Sequence, residues 1–312
     1  MSVYLLKDCL AVKRSLDKNN RVSGYTIMSG NGVSMTLSVE NLKQEIREGK
    51  VVVHNLKITA NNRLIIVKSP HLPSGLQFIQ DKMDYEEYKR SGKIKGCSAE
   101  YVVNEGARRI ELFRVHKVVN NTFEIPAFVS GIKFIDGDTS PFYELQGKLK
   151  VINKHNRLIN MRNMFKNCAK ITELDLSEFD MTGITDIDSM FYQSGLEHFI
   201  GGKLNLSAIT NMSSLFYCCK NLKAVDIGEW VVPNVVYAYN LFGYNMNLRY
   251  VKLPTGGFPK LKVAAEMFNH CITLEKIEKG QNFVLPKDYD KTWMFKEVQP
   301  QIEKTWERGC KL

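Results

Sequence analysis

The sequence predicts an α/β solenoid built from repeated units of a strand and a short helix, preceded by a small α+β domain. Three observations carry that prediction. A Met-Phe or Leu-Phe pair recurs through the second half at nearly constant steps, an apolar stripe precedes each pair, and an alternating apolar segment follows it. The first half lacks this period and carries hairpin and helix-cap signals instead.

The elements follow in chain order. Residues 1–69 read as a small α+β module. Tyr4–Leu16 alternates loosely enough for a strand, and Asp17–Asn20 reads as a turn. Gly24–Met28 and Val33–Leu37 flank Ser29-Gly30-Asn31-Gly32, residues that tolerate positive φ and so mark a hairpin. That glycine-rich turn joins two strands and leads into no helix, so phosphate binding at a helix start does not follow. Ser38 is placed to cap a helix through Val39, Leu42 and Ile46, which Gly49 ends. Val51–Thr59 and Arg63–Val67 suggest a second hairpin across Asn61-Asn62.

A Pro/Ser/Gly-rich stretch, Ser69–Gly75, marks a boundary. Beyond it, Gln80–Arg90 reads as a helix, and Ala99–Val103 and Arg108–Val118 as strands around Asn104-Glu105-Gly106. Residues 70–124 are either a second small α+β segment or an extension of the first. The string GYTIMSGNGVSMTLSVENLKQEIREGKVVVHNLKITANNRLI, from Gly24 to Ile65, is similar to short modules of uncharacterised proteins from Gram-positive bacteria, their phages and mobile elements. No activity comes with that similarity.

The repeat occupies residues 125–312. Its pairs are Met164-Phe165, Met190-Phe191, Leu215-Phe216, Leu241-Phe242, Met267-Phe268 and Met294-Phe295, with steps of 26, 25, 26, 26 and 27 residues. Seven and four residues before the phenylalanines stand Leu158 and Met161, Ile184 and Ile187, Ile209 and Met212, Val235 and Ala238, and Leu261 and Ala264. Such spacing predicts one apolar stripe on a short helix, with Asp186 and Asn211 as start signals. Downstream, Leu174 and Leu176, Val225 and Ile227, and Val251 and Leu253 alternate as a half-buried strand does. Neither element can bury its apolar face alone, so stacked units share one core. Ile132 and Phe134, then Leu149 and Val151, suggest two leading strands, for a sheet of six or seven strands and roughly 30 Å. Before Phe295 the stripe positions hold Asp288 and Lys291, so the last unit is a degenerate cap.

The segments NMFKNCAKITELDLSEFD, NMSSLFYCCKNLKAVDIGEW and EMFNHCITLEKIE resemble the BspA-type leucine-rich repeat over about residues 145–285. The resemblance implies a leucine-rich-repeat solenoid whose exposed sheet face is the recognition surface. On that face the outward positions are Lys133, Lys150, Glu173, Asp175, His198, Asp226, Tyr250, Lys252, Lys276 and Glu278, with Trp230 and Tyr239 on the return side as further contacts.

Chemistry is harder to find. No nucleotide-binding, metalloprotease or nucleophile-elbow motif is present, and the six histidines are scattered. Cys168, Cys219 and Cys271 share one repeat position, two units apart, so their backbones should lie about 10 Å from one another, too far for a disulfide. They read as core thiols, and no metal, cofactor or catalytic residue is predicted. The seven cysteines, the absence of a signal-like or membrane-spanning segment and the absence of zinc spacing predict a cytoplasmic location with free thiols and no membrane partner.

Two partner classes follow. The repeat favours another protein or protein complex; with the N-terminal similarity, that becomes a phage or mobile-element inhibitor of a host defence complex. Residues 1–124 hold 20 Lys/Arg against 13 Asp/Glu, and Tyr85, Tyr88, Lys89, Arg90, Lys93 and Lys95 mix aromatic and basic character, the alternative being nucleic-acid or ribonucleoprotein binding. A surface adhesin, common among BspA relatives, would need an export signal.

Overall fold

In the computed structural model, residues 6–67, 72–91, 98–155, 157–158 and 160–307 are described. The chain divides into two compact units, Met1–Gly92 with Asn104–Arg109, and Lys93–Val103 with Ile110–Leu312.

In the first unit, β1 (Leu6–Leu16), β2 (Val22–Ser29) and β3 (Ser34–Ser38) form an antiparallel meander. Helix α1 (Val39–Arg47) starts where the Ser38 hydroxyl accepts the Asn41 amide and ends before Gly49 at φ 67°. β4 (Val51–Val53) then pairs parallel with β1, giving the order β3-β2-β1-β4. The expected second hairpin is shorter than its apolar run. β4 joins the main sheet, and only β5 (Leu56–Ile58) pairs with β6 (Leu64–Ile66). Asn55 makes the break: its side chain takes the Ala11 amide and donates back to the Ala11 carbonyl. Leu42 of α1 packs with Cys9, Tyr25 and Ile27 on one face of the sheet. Helix α2 (Ser74–Ser91) closes the unit; it begins in the segment expected to be a linker, directly after Pro73, a residue suited to a helix start.

The second unit opens with β7 (Ser98–Asn104) and β8 (Arg109–Lys117). β9 (Thr122–Glu124), β10 (Val129–Ile132), β11 (Gly147–Ile152) and β12 (Ile171–Asp175) follow, then the three-residue strands β13 (His198–Ile200), β14 (Ala224–Asp226), β15 (Tyr250–Lys252) and β16 (Lys276–Glu278). The parallel ladders β9-β11-β12 and β13-β14-β15-β16 form the solenoid sheet, bridged by the Glu197 amide donating to the Thr172 carbonyl. The leading strand expected at Ile132 does not join it. β10 pairs with β8 in a separate sheet of order β10-β8-β7, and β9 takes the place beside β11. Lys133 therefore lies off the solenoid sheet, its amide donating to the Leu112 carbonyl.

The solenoid is present as expected, but the short helix of each unit is not. Between β12 and Gln299 no described residue is helical. In its place, each phenylalanine sits in a run of tight turns whose alternate amides reach the next coil. In one coil, the amides of Met212, Ser214, Phe216 and Cys218 donate to Tyr237, Tyr239, Leu241 and Gly243 at 2.8–2.9 Å. Within the run, the Leu215 and Tyr217 amides close turns to Met212 and Ser214. Closing these turns requires positive φ two residues on either side of the phenylalanine, as at Ser214 (53°) and Cys218 (57°), and the pattern repeats in every coil from Asn163 to Glu297. Apolar residues three and four apart mark the inner side of successive turns as well as of a helix, which is why the spacing misleads. The start signals hold in another form: Asp186 and Asn211 accept the amides two residues on, as turn-forming side chains do.

The phenylalanines stack. Phe165, Phe191, Phe216, Phe242, Phe268 and Phe295 lie 5.1–5.9 Å apart between ring centroids, and Phe142 extends the column upstream at 5.0 Å. The C-terminal end is closed by α3 (Pro300–Glu307), whose Trp306 packs edge-on against Phe268, Phe283 and Phe295. Phe216→Ala should leave a cavity in mid-column and lower stability by roughly 3–5 kcal/mol in equilibrium denaturation; a loss under about 1 kcal/mol would mean the column is not the core.

Candidate functional site

The exposed side of the solenoid sheet is the surface on which the repeat places its variable residues. Along β13–β16, Phe199, Val225 and Val251 point inward and are buried, so their neighbours point out. One outward row is His198, Ala224, Tyr250 and Lys276, in register, and the next carries Asp226, Lys252 and Glu278. On the adjoining ladder Lys150 lies opposite Asp175, and Glu173 opposite Lys148. Of the sequence-predicted face residues, all but Lys133 are thus brought together on the two ladders.

Most of these charges neutralise one another from coil to coil. Lys150 lies 2.7 Å from Glu178 and 3.6 Å from Asp175, and Lys148 is 2.9 Å from Glu173. Lys252 stands between Asp226 at 3.6 Å and Glu278 at 4.0 Å, and Lys276 is 3.0 Å from Glu278. Asp175 and Asp226 also accept the amides of Ser177 and Gly228, so both shape the exit from their strands. Partial burial pushes the Asp175 carboxyl up, but its bonds from Ser177 and the Lys150 charge outweigh this and hold it below the usual range.

Tyr250 departs from this pattern. Its hydroxyl donates to Glu278 at 3.0 Å and Lys276 lies over its ring at 5.5 Å, so the ring is held in place. Burial and the Glu278 carboxylate push its phenol up to about 12. Beside it, Ala224 presents only a methyl between Tyr250 and the exposed His198. Two strand spacings of about 4.8 Å separate those taller neighbours, leaving a notch in the row.

The turn side of the solenoid was largely missed by sequence reasoning. Tyr192, Tyr217, Tyr244 and His270 stack in a partly exposed column, with centroids 5.0, 5.4 and 4.2 Å apart and Lys166 over the first ring at 5.0 Å. Tyr237, Tyr239 and Trp293 are 48, 41 and 61% exposed. The signal for the column was an aromatic ring at the first or second position after Phe191, Phe216, Phe242 and Phe268. Trp230, expected as a surface contact, is 5% exposed and packs edge-on to Phe199. Gly201 makes room for it: a Cβ there would lie 2.2 Å from the indole nitrogen.

The repeated cysteines have a structural role. Cys168, Cys219 and Cys271 are fully buried, and the last two thiols donate to the Phe191 and Phe242 carbonyls, each at 3.0 Å. In the intervening coil Asn245 does the same for Phe216 and Phe242, both at 2.7 Å. Burial pushes all three thiols up to about 12. His270, beside Cys271, contacts Glu297 at 3.2 Å and stacks on Tyr244, a surface arrangement. Among the described residues no group of three or more His, Cys, Asp or Glu is placed to hold a metal.

The basic-aromatic segment lies on α2. There Lys89 is engaged by its own helix, 2.6 Å from Glu86 and 4.6 Å from the centroid of Tyr85. Tyr88 is half-buried, the Arg90 side chain is not described, and Lys93 and Lys95 lie outside the described residues. Asp84, Glu86 and Glu87 share the helix, so an anionic backbone laid along it would meet carboxylates as well as cations.

A family model described as Mycoplasma protein of unknown function, DUF285, matches residues 159–279 and again 194–304, overlapping the stretch that resembles BspA-type repeats. A solved leucine-rich repeat protein from Bacteroides ovatus is 14% identical; the match covers 63% of this chain and 59% of that one, with a TM-score of 0.36. No curated protein matches. No described helix is long and apolar enough to cross a membrane.

Two measurements test this description. Native thiol labelling read by peptide mass spectrometry should modify Cys218 and spare Cys168, Cys219 and Cys271; rapid labelling of those three would contradict their burial. His116 bonds to Glu100 at 2.5 Å and to Glu144 at 3.0 Å, and these carboxylates hold its pKa above the ordinary histidine value. Both bonds need the doubly protonated ring, so any stability they add is complete below the unfolded histidine pKa and is lost as pH rises through the raised one. An NMR titration should place the His116 midpoint above that of a free histidine and lower it in Glu100→Gln.

Proposed function

We propose that the chain is a protein-binding module that uses its solenoid strand face, with the notch at Ala224 receiving a side chain of the partner. The observation that supports this reading is the pairing of a pre-positioned aromatic with a gap. Tyr250 is already fixed by Lys276 and Glu278, so little rotamer freedom is lost when a partner covers it. The surrounding charges are paired with one another and form a polar rim around the gap, the usual anatomy of a binding hot spot. A repeat scaffold is itself consistent with protein binding, since stacked units give an extended surface.

The narrower version, in which the bound protein belongs to a host defence complex and is blocked, rests on the N-terminal similarity. The family match begins only at residue 159 and does not extend to that region. Nucleic-acid binding through α2 is the weaker reading, because Lys89 is occupied and carboxylates surround it.

Ala224→Trp should fill the notch from the solvent side, leave the melting temperature unchanged and abolish capture of the partner from cells that make the protein. Tyr250→Ala should weaken the same interaction at least roughly tenfold, the expected scale for a central aromatic contact. Retention of the partner at unchanged affinity by both variants would exclude the strand face as its site.

A further inference from the structure

We propose that the N-terminal unit carries a separate recognition site, an acid-rimmed apolar groove that takes a basic, amphipathic segment of a partner protein. The four-stranded sheet has two faces. α1 covers the one that holds Cys9 and Ile27. On the other, α2 lies against β1, where Leu10 is fully buried, but the cover stops there: Val12 and Met28 are only partly buried and floor a groove beside α2. Phe78, Ile79 and Met83 complete the apolar lining, and the groove holds about 1140 Å³. That exceeds the roughly 300–1,000 Å³ of a small-molecule pocket and suits several side chains at once.

The rim gives the partner its sign. Asp84, Glu86 and Glu87 of α2 and Glu105 of the following turn contribute four carboxylates against two cations, Lys82 and Arg108. Lys82 is paired with Glu105 at 2.9 Å, Glu86 with Lys89 at 2.6 Å, and the Arg108 guanidinium donates to the Gly30 carbonyl at 3.0 Å, so Asp84 and Glu87 are the carboxylates the rim offers to a partner. This acidic border sits on a chain of formal charge +10, which repels cations at long range. Selection of a basic segment therefore depends on the groove itself. Leucine-type side chains would cover Val12, Met28 and Met83, while lysines lay their stems along the walls and their ammonium groups at the carboxylates. The Gly30–Gly32 turn completes the lining: Gly30 packs against Gly75 at the start of α2, and Gly32, with nothing within 4 Å of where a Cβ would stand, leaves room for a peptide backbone.

The test uses the full-length protein and a fluorescent synthetic amphipathic helix made of leucine and lysine, followed by anisotropy. Saturable binding is expected, weakening with added salt and falling at least roughly tenfold in the surface double variant Asp84→Asn, Glu87→Gln. Peptides with glutamate for lysine, or serine for leucine, should bind at least roughly tenfold more weakly. Ala224→Trp should bind the peptide as the parent does, which separates this site from the strand face. Equal binding by the double variant, or no saturation by about 100 µM peptide, would each overturn the proposal.

Discussion

The alternate-residue hydrogen bonds between coils are the constraint from which the second unit's other features follow. Because the amides around each phenylalanine donate to the next coil, that segment cannot be a helix, whose amides bond within their own turn. The turns need left-handed residues on both sides of the ring, and none of these twelve positions holds glycine. A left-handed conformation costs roughly 1–2 kcal/mol at an ordinary residue, so the arrangement persists only where each such residue also belongs to a turn and an inter-coil bond. Buried thiols and Asn245 then supply donors to the phenylalanine carbonyls, which explains a cysteine at one repeat position without any redox or metal chemistry.

The same constraint shows where the column tolerates change. From Phe191 to Phe216 the coil is one residue short, and Gly195 absorbs the difference: a Cβ there would lie 2.1 Å from the Ala169 carbonyl oxygen. At the upstream end, the Val115 amide of β8 donates to Pro141, tying the separate three-stranded sheet to the first coil. Downstream, Trp306 covers the last rings and donates from its indole to the Tyr289 hydroxyl at 2.9 Å. Stacked coils need such covers because each end otherwise leaves an apolar face in water.

The solenoid was legible because the period of its phenylalanines is a direct image of its stacking. The strand face was legible for the same reason, apart from Lys133, whose strand looks like its neighbours in sequence but pairs with β8. What remained hidden was the conformation between the strands. Residues such as Glu266 or Trp293 give no local hint of positive φ, since the long-range ladder imposes it. The place of Phe142 at the head of the column was hidden too, because it stands only 23 residues before Phe165. In the N-terminal unit the first hairpin and the helix-cap signal were local and held, while the second hairpin lost the start of its first strand to the main sheet. The groove depends on which part of a sheet face α2 leaves uncovered, and no residue pattern states that.

Regularity and recognition pull in opposite directions on this surface. A repeat that places lysine beside aspartate or glutamate on successive coils pairs its own charges, and exposed pairs of this kind contribute little to stability and offer a partner no net field. Specificity then has to come from positions that break the pattern, where one coil's side chain differs in height from its neighbours. Ala224 between His198 and Tyr250 is such a break, and on the turn side so is the exposed Trp293, where the preceding coils carry Asn240 and Glu266. The column of buried rings makes these breaks useful. It fixes each coil against the next, so a difference of one side chain persists as a fixed feature of the surface, because the coils cannot slide to close it.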